Sequence, residues 1–256
     1  MITIRVLAPA ELPGFGRQLA ALERDITYPL GDDRFRIDHG PDYFRFFARM
    51  GRLRYLAALR EEAIVGGLAA IERHLPDPVL YVGDLKVAPD GRGLGRRLAA
   101  ALATLAEGSP VYGISMNPGD GAPNRVVGML TRAFPALSRA ADLSFYTLDT
   151  TTMRDFQPVL ESHRGPSGFL SLRGIKDIVL ASTGAPMELW HTQFGPTGDI
   201  QRTEPVPGGA HMFCTPTGDG LDRAAQDQGL SPSASATIVS NRMTDQDWGF
   251  VLTSEI

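Results

Sequence analysis

Hydrophobic and polar positions along the first part of the chain recur with the periods of strands and helices. Residues 2–6 alternate between apolar and polar side chains, and from Leu12 to Leu22 an apolar residue recurs every three to four positions. The polar stretch 25–40 predicts a loop, and the aromatic stretch 41–50 predicts a short helix. A strand and two helices separated by a loop are therefore expected at the start of the chain.

Two antiparallel strands and a strand–turn–helix unit come next. Residues 55–59 and 64–71 are apolar and are joined by the polar turn R-E-E-A. The strand at 81–87 stops before Pro89, which has no amide hydrogen to donate to a neighbouring strand. Leucines at helical spacing up to Leu105 follow. The predicted order is β-α-α-β-β-β-α.

Three glycines connect this last strand to its helix. Gly91, Gly93 and Gly95 occupy alternate positions, so the turn carries few side chains. The first amide groups of a helix have no partner within it and lie at the positive end of its dipole, so such a turn can bind a phosphate or pyrophosphate. A plain strand-to-helix turn could carry the same glycines, so the spacing leaves both interpretations open.

The flanking residues favour the phosphate-binding interpretation. Residues 84–98, D-L-K-V-A-P-D-G-R-G-L-G-R-R-L, resemble the acetyl-CoA-binding motif of the GNAT N-acetyltransferases, V-x-P followed by [Q/R]-x-x-G-x-[G/A]. The resemblance covers about residues 1–150 and implies a mixed sheet with flanking helices and acetyl-CoA as co-substrate. The residues implied in cofactor binding are Leu85, Lys86, Val87, Gly91, Arg92, Gly93, Leu94, Gly95, Arg96, Arg97 and Asn124.

Two positions depart from the family's pattern. Asp90 stands where the motif has Arg or Gln, in a loop one residue shorter than usual, and Arg92 is placed to supply the missing cation. Further on, alignment puts Thr131 where many members carry the tyrosine that protonates the departing thiolate. A threonine hydroxyl is too weak an acid for that role. The role of proton donor is therefore vacant, or it is taken by Tyr112, by Tyr146 or by water.

The chain continues with a strand at 111–116, a helix beginning near Asn124 and a strand near residue 145. In the GNAT fold the strands corresponding to 81–87 and 111–116 diverge, and the pantetheine arm lies between them. The loop between the first two helices often lines the acceptor site in that family. Its polar residues here are Tyr28, Asp32, Asp33 and His39.

The catalytic base should lie on a strand that faces the thioester, because the attacking amine must lose a proton and an oxyanion must be stabilised. Asp84 and Glu72 are the first candidates, and Tyr146 is a candidate acid. The alternatives are a turn carboxylate for Asp84 and an ion pair with Arg73 or another surface arginine for Glu72. No metal-binding H-E-x-x-H motif occurs, and no metal is expected.

Residues 150–166 are rich in Thr, Pro, Gly and Ser and predict a connector. Residues 166–256 predict a smaller β-rich α+β domain that resembles no family, or a degenerate second GNAT-like half. Its T-G-D-G turn carries acids where a phosphate would bind, so a wall of the acceptor site or a homodimer surface is the expected role. Its predicted elements are strands at 175–182, 186–194, 210–215, 235–241 and 248–254 and a helix at 219–230.

Composition narrows the classes of function. The chain has 256 residues, 43% of them hydrophobic, and a net charge of −4, which argues against general nucleic-acid binding. No apolar run of membrane-spanning length and no signal peptide are evident, so a cytoplasmic protein is expected. Lys86 and Lys176 are the only lysines, which suggests a GC-rich bacterial genome. The lone Cys214 excludes an intramolecular disulfide and is expected to be a buried thiol.

Together these observations predict an α/β protein with a GNAT-like domain at residues 1–150 and a smaller α+β domain at 166–256. The expected function is the transfer of an acetyl group from acetyl-CoA to a small amine by direct attack. The alternative is a module of the same fold that binds acyl-CoA or a partner without catalysis.

Overall fold

The computed structural model describes residues 1–75, 77–106, 108–243 and 245–256. These residues form a mixed α/β fold with a ten-stranded sheet, a three-stranded sheet and flanking helices. The elements of the first half are β1 (Ile2–Val6), α1 (Leu12–Glu23), β2 (Tyr28–Leu30), β3 (Asp33–Asp38), α2 (Arg45–Ala48), β4 (Arg52–Arg60), β5 (Ala63–Leu75), β6 (Asp77–Val87), α3 (Leu94–Ala106), β7 (Val111–Met116), α4 (Arg125–Ala133) and β8 (Ser138–Leu148). Those of the second half are α5 (Thr150–Arg164), β9 (Ser167–Leu170), β10 (Asp177–Leu180), β11 (Leu189–Phe194), β12 (Ala210–Pro216), α6 (Gly220–Asp227) and β13 (Ala234–Asn241).

The first five strands of the large sheet follow the order β1-β4-β5-β6-β7. All these pairs are antiparallel except β6 and β7, which run parallel and are joined through α3. The helix packs on this part of the sheet because Leu94 and Leu98, one turn apart, are both buried against an apolar cluster that includes Leu56 and Leu68. This packing fixes the start of α3 beside the end of β6.

The two halves share the large sheet by exchanging their last strands. The order continues β7-β13-β8-β12-β11-β9, so β13 from the second half lies between two strands of the first half. Likewise β8 lies between β13 and β12 of the second half. Every pair in the run β7-β13-β8-β12 is antiparallel. The strand directions therefore alternate in the same way whether the run is followed from the first half or from the second.

The polar stretch 25–40, predicted to be a loop, contains a hairpin. Strands β2 and β3 pair antiparallel, and β10 of the second half adds to the other edge of β3. Phe35 and Ile37 alternate with charged residues along β3, and Phe35 is buried. The loop prediction was therefore wrong, because arginines and aspartates on the solvent side masked a short alternating pattern.

The stretch 150–166, predicted to be a connector, forms helix α5. The Asp149 side chain accepts the Thr152 amide at 2.8 Å as its N-cap, and Met153, Phe156 and Leu160 are buried along one face. None of the described helices combines the length and apolar character needed to cross a lipid bilayer.

Residues 248–254, predicted to be the last strand of the chain, do not form a strand. Residues Trp248–Phe250 and Thr253–Glu255 form two short 3-10 turns instead. Leu252, Thr253 and Ser254 are nevertheless buried, because the segment packs against β11 and β12. The segment is therefore buried without forming a strand, and the strand assignment was wrong.

Candidate functional site

A cavity of about 920 Å³ opens where β6 and β7 separate. The two strands pair only from Leu80–Val82 to Val111–Gly113. Beyond these residues both strands line the cavity, which extends along one face of α3 and under α4. Divergence of two parallel strands leaves main-chain groups without partners, and such groups can bind an extended ligand.

The turn at one end of this cavity contains three glycines, and each has a different structural role. A Cβ on Gly91 would lie 2.6 Å from Val87 Cγ1 and 3.0 Å from the Ala88 oxygen, so this residue makes a close backbone approach. Gly93 has φ +77°, a left-handed conformation that favours glycine. Gly95 lines the cavity, and a Cβ there would contact Met129 at 3.4 Å. The turn therefore brings the start of α3 to the cavity without side chains in the way.

The unusual acid of the motif is paired with an arginine. The Asp90 carboxylate lies 2.8 Å from Arg60 on β4, and this hydrogen bond lowers the pKa of Asp90. Arg92 and Arg96 remain exposed at the start of α3, whereas Arg97 donates to the Ile2 oxygen at 3.1 Å. The local charge of the turn is therefore more positive than its sequence alone suggests.

Helix α4 begins at the opposite side of the opening. Asn124 caps it by accepting the Val127 amide at 3.1 Å, and its amide nitrogen donates to the Ser115 and Met116 oxygens of β7. Thr131 hydrogen-bonds back to Val127 at 3.0 Å and does not line the cavity. Asn124 therefore holds the helix to the strand, and Thr131 does not replace the tyrosine of the family pattern.

Asp84 lies at the centre of a buried polar network on the cavity wall. Its φ of +57° places it at the bulge that interrupts the pairing of β5 and β6. The carboxylate accepts hydrogen bonds from Tyr43 at 2.8 Å, from Tyr55 at 2.7 Å and from the Lys86 ammonium. Burial, and then the charge of Asp84, raise the pKa of both tyrosines well above 10, so their hydroxyl groups remain donors.

The network continues from Lys86 to helix α1. The Lys86 ammonium lies 3.0 Å from Glu23, whose other oxygen lies 3.4 Å from His39 Nε2. Burial acts to raise the pKa of Glu23, but the hydrogen bond from His39 and the charge of Lys86 outweigh it and the pKa is lowered. The Lys86 ammonium thus contacts two buried carboxylates. The role of Lys86 in cofactor binding stays a prediction.

One group of residues in this network has the composition of a metal site. Glu23, His39 and Asp84 each offer a ligand atom, and these atoms lie within 4.8 Å of one another. Lys86 already contacts both carboxylates with its ammonium. The positive charge that a cation would bring to the two acids is therefore supplied by the chain itself.

Two of the predicted catalytic residues lie away from the cavity. Glu72 pairs with Arg54 and with Arg52 at 3.6 Å on the partly exposed face of β5. Tyr146 is buried in the core of the second half, where it donates to Asp222 at 2.7 Å. Neither residue lines the cavity, so only Asp84 of the three candidates is placed there.

The three-stranded sheet and the second half build the far end of the cavity. Tyr28 and His39 of the predicted acceptor loop line it, whereas Asp33 turns away to bond Ser182. Ile178 on β10 and the buried Lys176 come from the second half. Burial lowers the pKa of Lys176 to about 7. The predicted role of the second half as a wall of this site therefore agrees with the lining of the cavity.

Several residues of the site were not predicted from the sequence. Glu23, Tyr43, Tyr55 and Lys176 carry no recognisable spacing, because they come from four separate segments that only the fold brings together. Tyr43 lies in the aromatic stretch 41–50 and Tyr55 begins the apolar stretch 55–59, where nothing in the sequence distinguishes either residue.

The second half has its own pair of diverging parallel strands, but this opening is filled. Strands β11 and β12 pair only from Leu189–His191 to Ala210–Met212. Beside them, Ser254 bonds Gln193 at 3.0 Å and Thr253 bonds the Met212 oxygen at 3.1 Å. A loop at 195–209 stands where the first half has α3. Among the described residues, no helix therefore begins between β11 and β12, and the segment 253–254 occupies the space beside these strands.

The turn before α6 is also occupied by the protein's own groups. Asp219 caps the helix by accepting the Asp222 amide at 2.8 Å, and the same carboxylate pairs with Arg164. A side-chain carboxylate thus takes the helix amide that a phosphate would need.

The sequence matches no family model and no curated protein. Among solved structures, a tandem GNAT protein from the clavulanic acid biosynthesis pathway, determined without acetyl-CoA, is 13% identical to this chain. It has a TM-score of 0.53 and covers 96% of this chain and 100% of its own. A candidate acetyltransferase from Pyrococcus horikoshii is 10% identical, with a TM-score of 0.51 over 98% of this chain and 92% of its own. At these identities the likeness concerns the fold.

Proposed function

From the premise that this chain has the tandem GNAT fold, we propose that it is an N-acetyltransferase that moves an acetyl group from acetyl-CoA to a small amine. One observation carries the proposal. A single cavity is lined by Gly95 of the glycine turn, by the diverging ends of β6 and β7, and by Asp84. These are the positions needed for a pyrophosphate, an extended thioester arm and an attacking amine.

The glycine turn is the proposed pyrophosphate site. Arg92 and Arg96 are exposed beside the start of α3, and the positive end of the helix dipole adds to their charge. The pantetheine arm would then bond the main chain of the diverging strands, with Leu85 and Val87 on one side and Ser115 on the other. This arrangement directs the thioester toward Asp84.

The proposed reaction is direct attack, without a covalent enzyme intermediate. The amine approaches the thioester from the Asp84 side, where the carboxylate attracts the ammonium form and takes up its proton directly or through water. Attack on the carbonyl then expels the CoA thiolate. The thiolate's proton comes from water, because burial raises the pKa of Tyr28, a tyrosine that lines the cavity, and so makes its hydroxyl a weaker acid.

Two observations favour a second candidate function, which is the binding of acyl-CoA without acetyl transfer. The Asp84 oxygens already accept bonds from Tyr43, Tyr55 and Lys86, which competes with their use as a base. Thr131 hydrogen-bonds to its own helix and offers no acid to a thiolate. The two functions share the cofactor site and differ only in the chemical step.

Calorimetric titration with acetyl-CoA tests the shared part of both functions. We expect binding in the micromolar range, and expect Gly95→Leu to abolish it, because the new side chain would enter the cavity beside Met129. Gly14→Leu is the matched control, since Gly14 is an exposed position in α1 with open space around it. Equal affinity of the Gly95 variant and the wild type would show that the cofactor site is misplaced.

Release of the CoA thiol over a panel of primary amines tests the chemical step. We expect amine-dependent release by the wild type and at least a hundredfold slower release by Asp84→Asn, with acetyl-CoA affinity retained. Binding of acetyl-CoA without release on any amine would instead support the non-catalytic function.

A further inference from the structure

The part of the cavity beyond Asp84 has walls that include aromatic and aliphatic side chains. We call this part the acceptor chamber. Its walls come from the segment after α1, from β3, from α2 and from β10, so both halves of the chain contribute. Its aromatic and aliphatic wall residues are Ile26, Phe35, Ile37, Phe46, Phe47 and Ile178.

The carboxylates of the chamber already have a cation of the chain beside them. Glu23 and Asp84 both contact the Lys86 ammonium. Lys176, the other lysine at the wall, donates to the Ile256 main-chain oxygen and lies 4.9 Å from the Phe46 ring. Arg34 on β3 also lines the cavity and donates to Thr27 at 2.9 Å. Within the described part of the wall, two carboxylates therefore face two lysines and an arginine.

A third carboxylate lines the cavity at its other end. Asp120 lies in the exposed loop after β7, where it accepts the Ala122 amide at 3.0 Å. It is on the cofactor side of the opening, so it adds nothing to the balance of charge in the acceptor chamber.

This arrangement discriminates between classes of amine. One ammonium group can approach Asp84, but a second would enter an apolar space without an unpaired carboxylate, and burying a charge without a partner is strongly unfavourable. An aromatic or aliphatic body would instead gain from leaving water in proportion to its apolar area. The chamber therefore favours a single charge at one end of an apolar molecule.

We propose that the acceptor of this site is a monoamine with an aromatic or aliphatic body, and that polyamines and other polycations are poor acceptors. The amine lies at Asp84 and the body lies in the acceptor chamber against Phe35, Phe46 and Ile178. This inference rests on the proposed function for its chemistry, but binding of the amine can be measured without transfer.

Calorimetric titration of the protein alone with 2-phenylethylamine, methylamine and spermidine is the first test. We expect 2-phenylethylamine to bind at least tenfold more tightly than either of the others, with the same order in kcat/KM when acetyl-CoA is present. Equal or tighter binding of spermidine would overturn the inference. Loss of acetyl-CoA binding alone would overturn the proposed function and leave the order of amine affinities to decide the inference.

Substitutions at Ile178 test the position of the apolar body. Ile178→Phe fills the chamber, so we expect the preference for 2-phenylethylamine over methylamine to fall at least fivefold, whereas Ile178→Ala should shift the preference toward larger arylalkylamines. Ile200→Phe is the control, because Ile200 is 43% exposed and lies outside the cavity. Unchanged acetyl-CoA affinity verifies that each variant is folded.

Comparison of acetyl-CoA with hexanoyl-CoA distinguishes the acceptor from the acyl chain as occupant. If the amine occupies the chamber, the longer acyl chain competes with it and hexanoyl transfer to 2-phenylethylamine is slower. Faster hexanoyl transfer, abolished by Ile178→Phe, would place the acyl chain in the chamber and overturn the inference.

Discussion

Lys86 illustrates how one residue sets the charge of the site. Its ammonium contacts Glu23 and Asp84, and all three side chains are at most 4% exposed. The ammonium supplies a counter-charge to both carboxylates, which lowers the free-energy cost of burying them. Its neighbours Leu85 and Val87 pack instead against the apolar cluster that contains Leu94 and Leu98.

We predict that Lys86→Met lowers the free energy of unfolding by about 3–5 kcal/mol, because it leaves two buried carboxylates without a counter-charge. Urea denaturation at pH 7.5 measures the change. Arg60→Met is the control, since it breaks the exposed ion pair with Asp90 and should change stability only slightly. Equal effects of the two substitutions would contradict the buried network.

His191 supplies a prediction on pH. It is 2% exposed and bonds Thr253 through Nδ1 at 2.9 Å, and burial, followed by the charges of Lys176 and Arg49, holds its pKa well below 6.5. The unfolded chain therefore binds a proton here that the folded chain does not. The stability that depends on neutral His191 is present above the unfolded pKa and is lost as pH falls from about 6.5 toward the folded value.

The measurement is the urea unfolding free energy of the wild type and His191→Gln at pH 7.5, 6.5 and 5.5. We expect the wild type to lose up to about 1.4 kcal/mol per pH unit more than the variant over the lower interval. Part of the pH dependence should persist in the variant, because burial also lowers the pKa of His211. Parallel curves would mean that His191 is protonated in the folded protein.

At the scale of elements, the segment after β13 is held by a buried ion pair to the first half. Glu255 pairs with Arg73 on β5, and Arg73 also donates to Tyr112 on β7 at 2.8 Å. Both charged side chains are at most 9% exposed. The segment that fills the opening between β11 and β12 is thus anchored on the sheet of the other half.

We predict that Glu255→Ala lowers the free energy of unfolding by about 3–5 kcal/mol, because Arg73 would remain buried without its partner. Glu11→Ala, which removes an exposed pair with Arg5, should have a small effect and serves as the control. Hydrogen exchange should also rise in residues 251–255 of the Glu255 variant. Protection equal to the wild type would mean that packing alone holds the segment.

The elements that sequence patterns predicted well are those with a long uniform period. The strand–turn–helix unit around Gly93 was predicted because apolar spacing and turn chemistry agree there. The hairpin β2–β3 was missed because it is short and its outer face is charged. Helix α5 was missed because Pro158 and its threonines suggested a connector, although Pro158 lies on the exposed face and the apolar face is regular.

At the scale of the whole molecule, the predicted GNAT-like mixed sheet is confirmed, whereas the exchange of strands could not have been predicted. The pattern of β13 identifies a buried strand but not its neighbours, because pairing partners more than 80 residues apart leave no local signal. Asp84 could be named from its motif, but Glu23 and Lys176 could not, since their proximity depends on the packing of α1 and β10. The domain boundaries at 150 and 166 remain a prediction.

The exchanged strands predict that neither half folds by itself. Residues 1–150 alone would lack β13, so β7 and β8 would each expose an unpaired edge and the apolar residues Ile238 and Val239 would leave the core. We expect this fragment to lack a cooperative thermal transition and to aggregate, and the full chain to unfold in a single transition. Mixing fragments 1–150 and 151–256 during refolding should restore a cooperative unit, measured by circular dichroism, whereas a mixture in which 151–256 carries Ile238→Asp should not. A soluble, cooperatively folded fragment 1–150 would show that β7 and β8 pair directly without β13, and that the two halves are independent folding units.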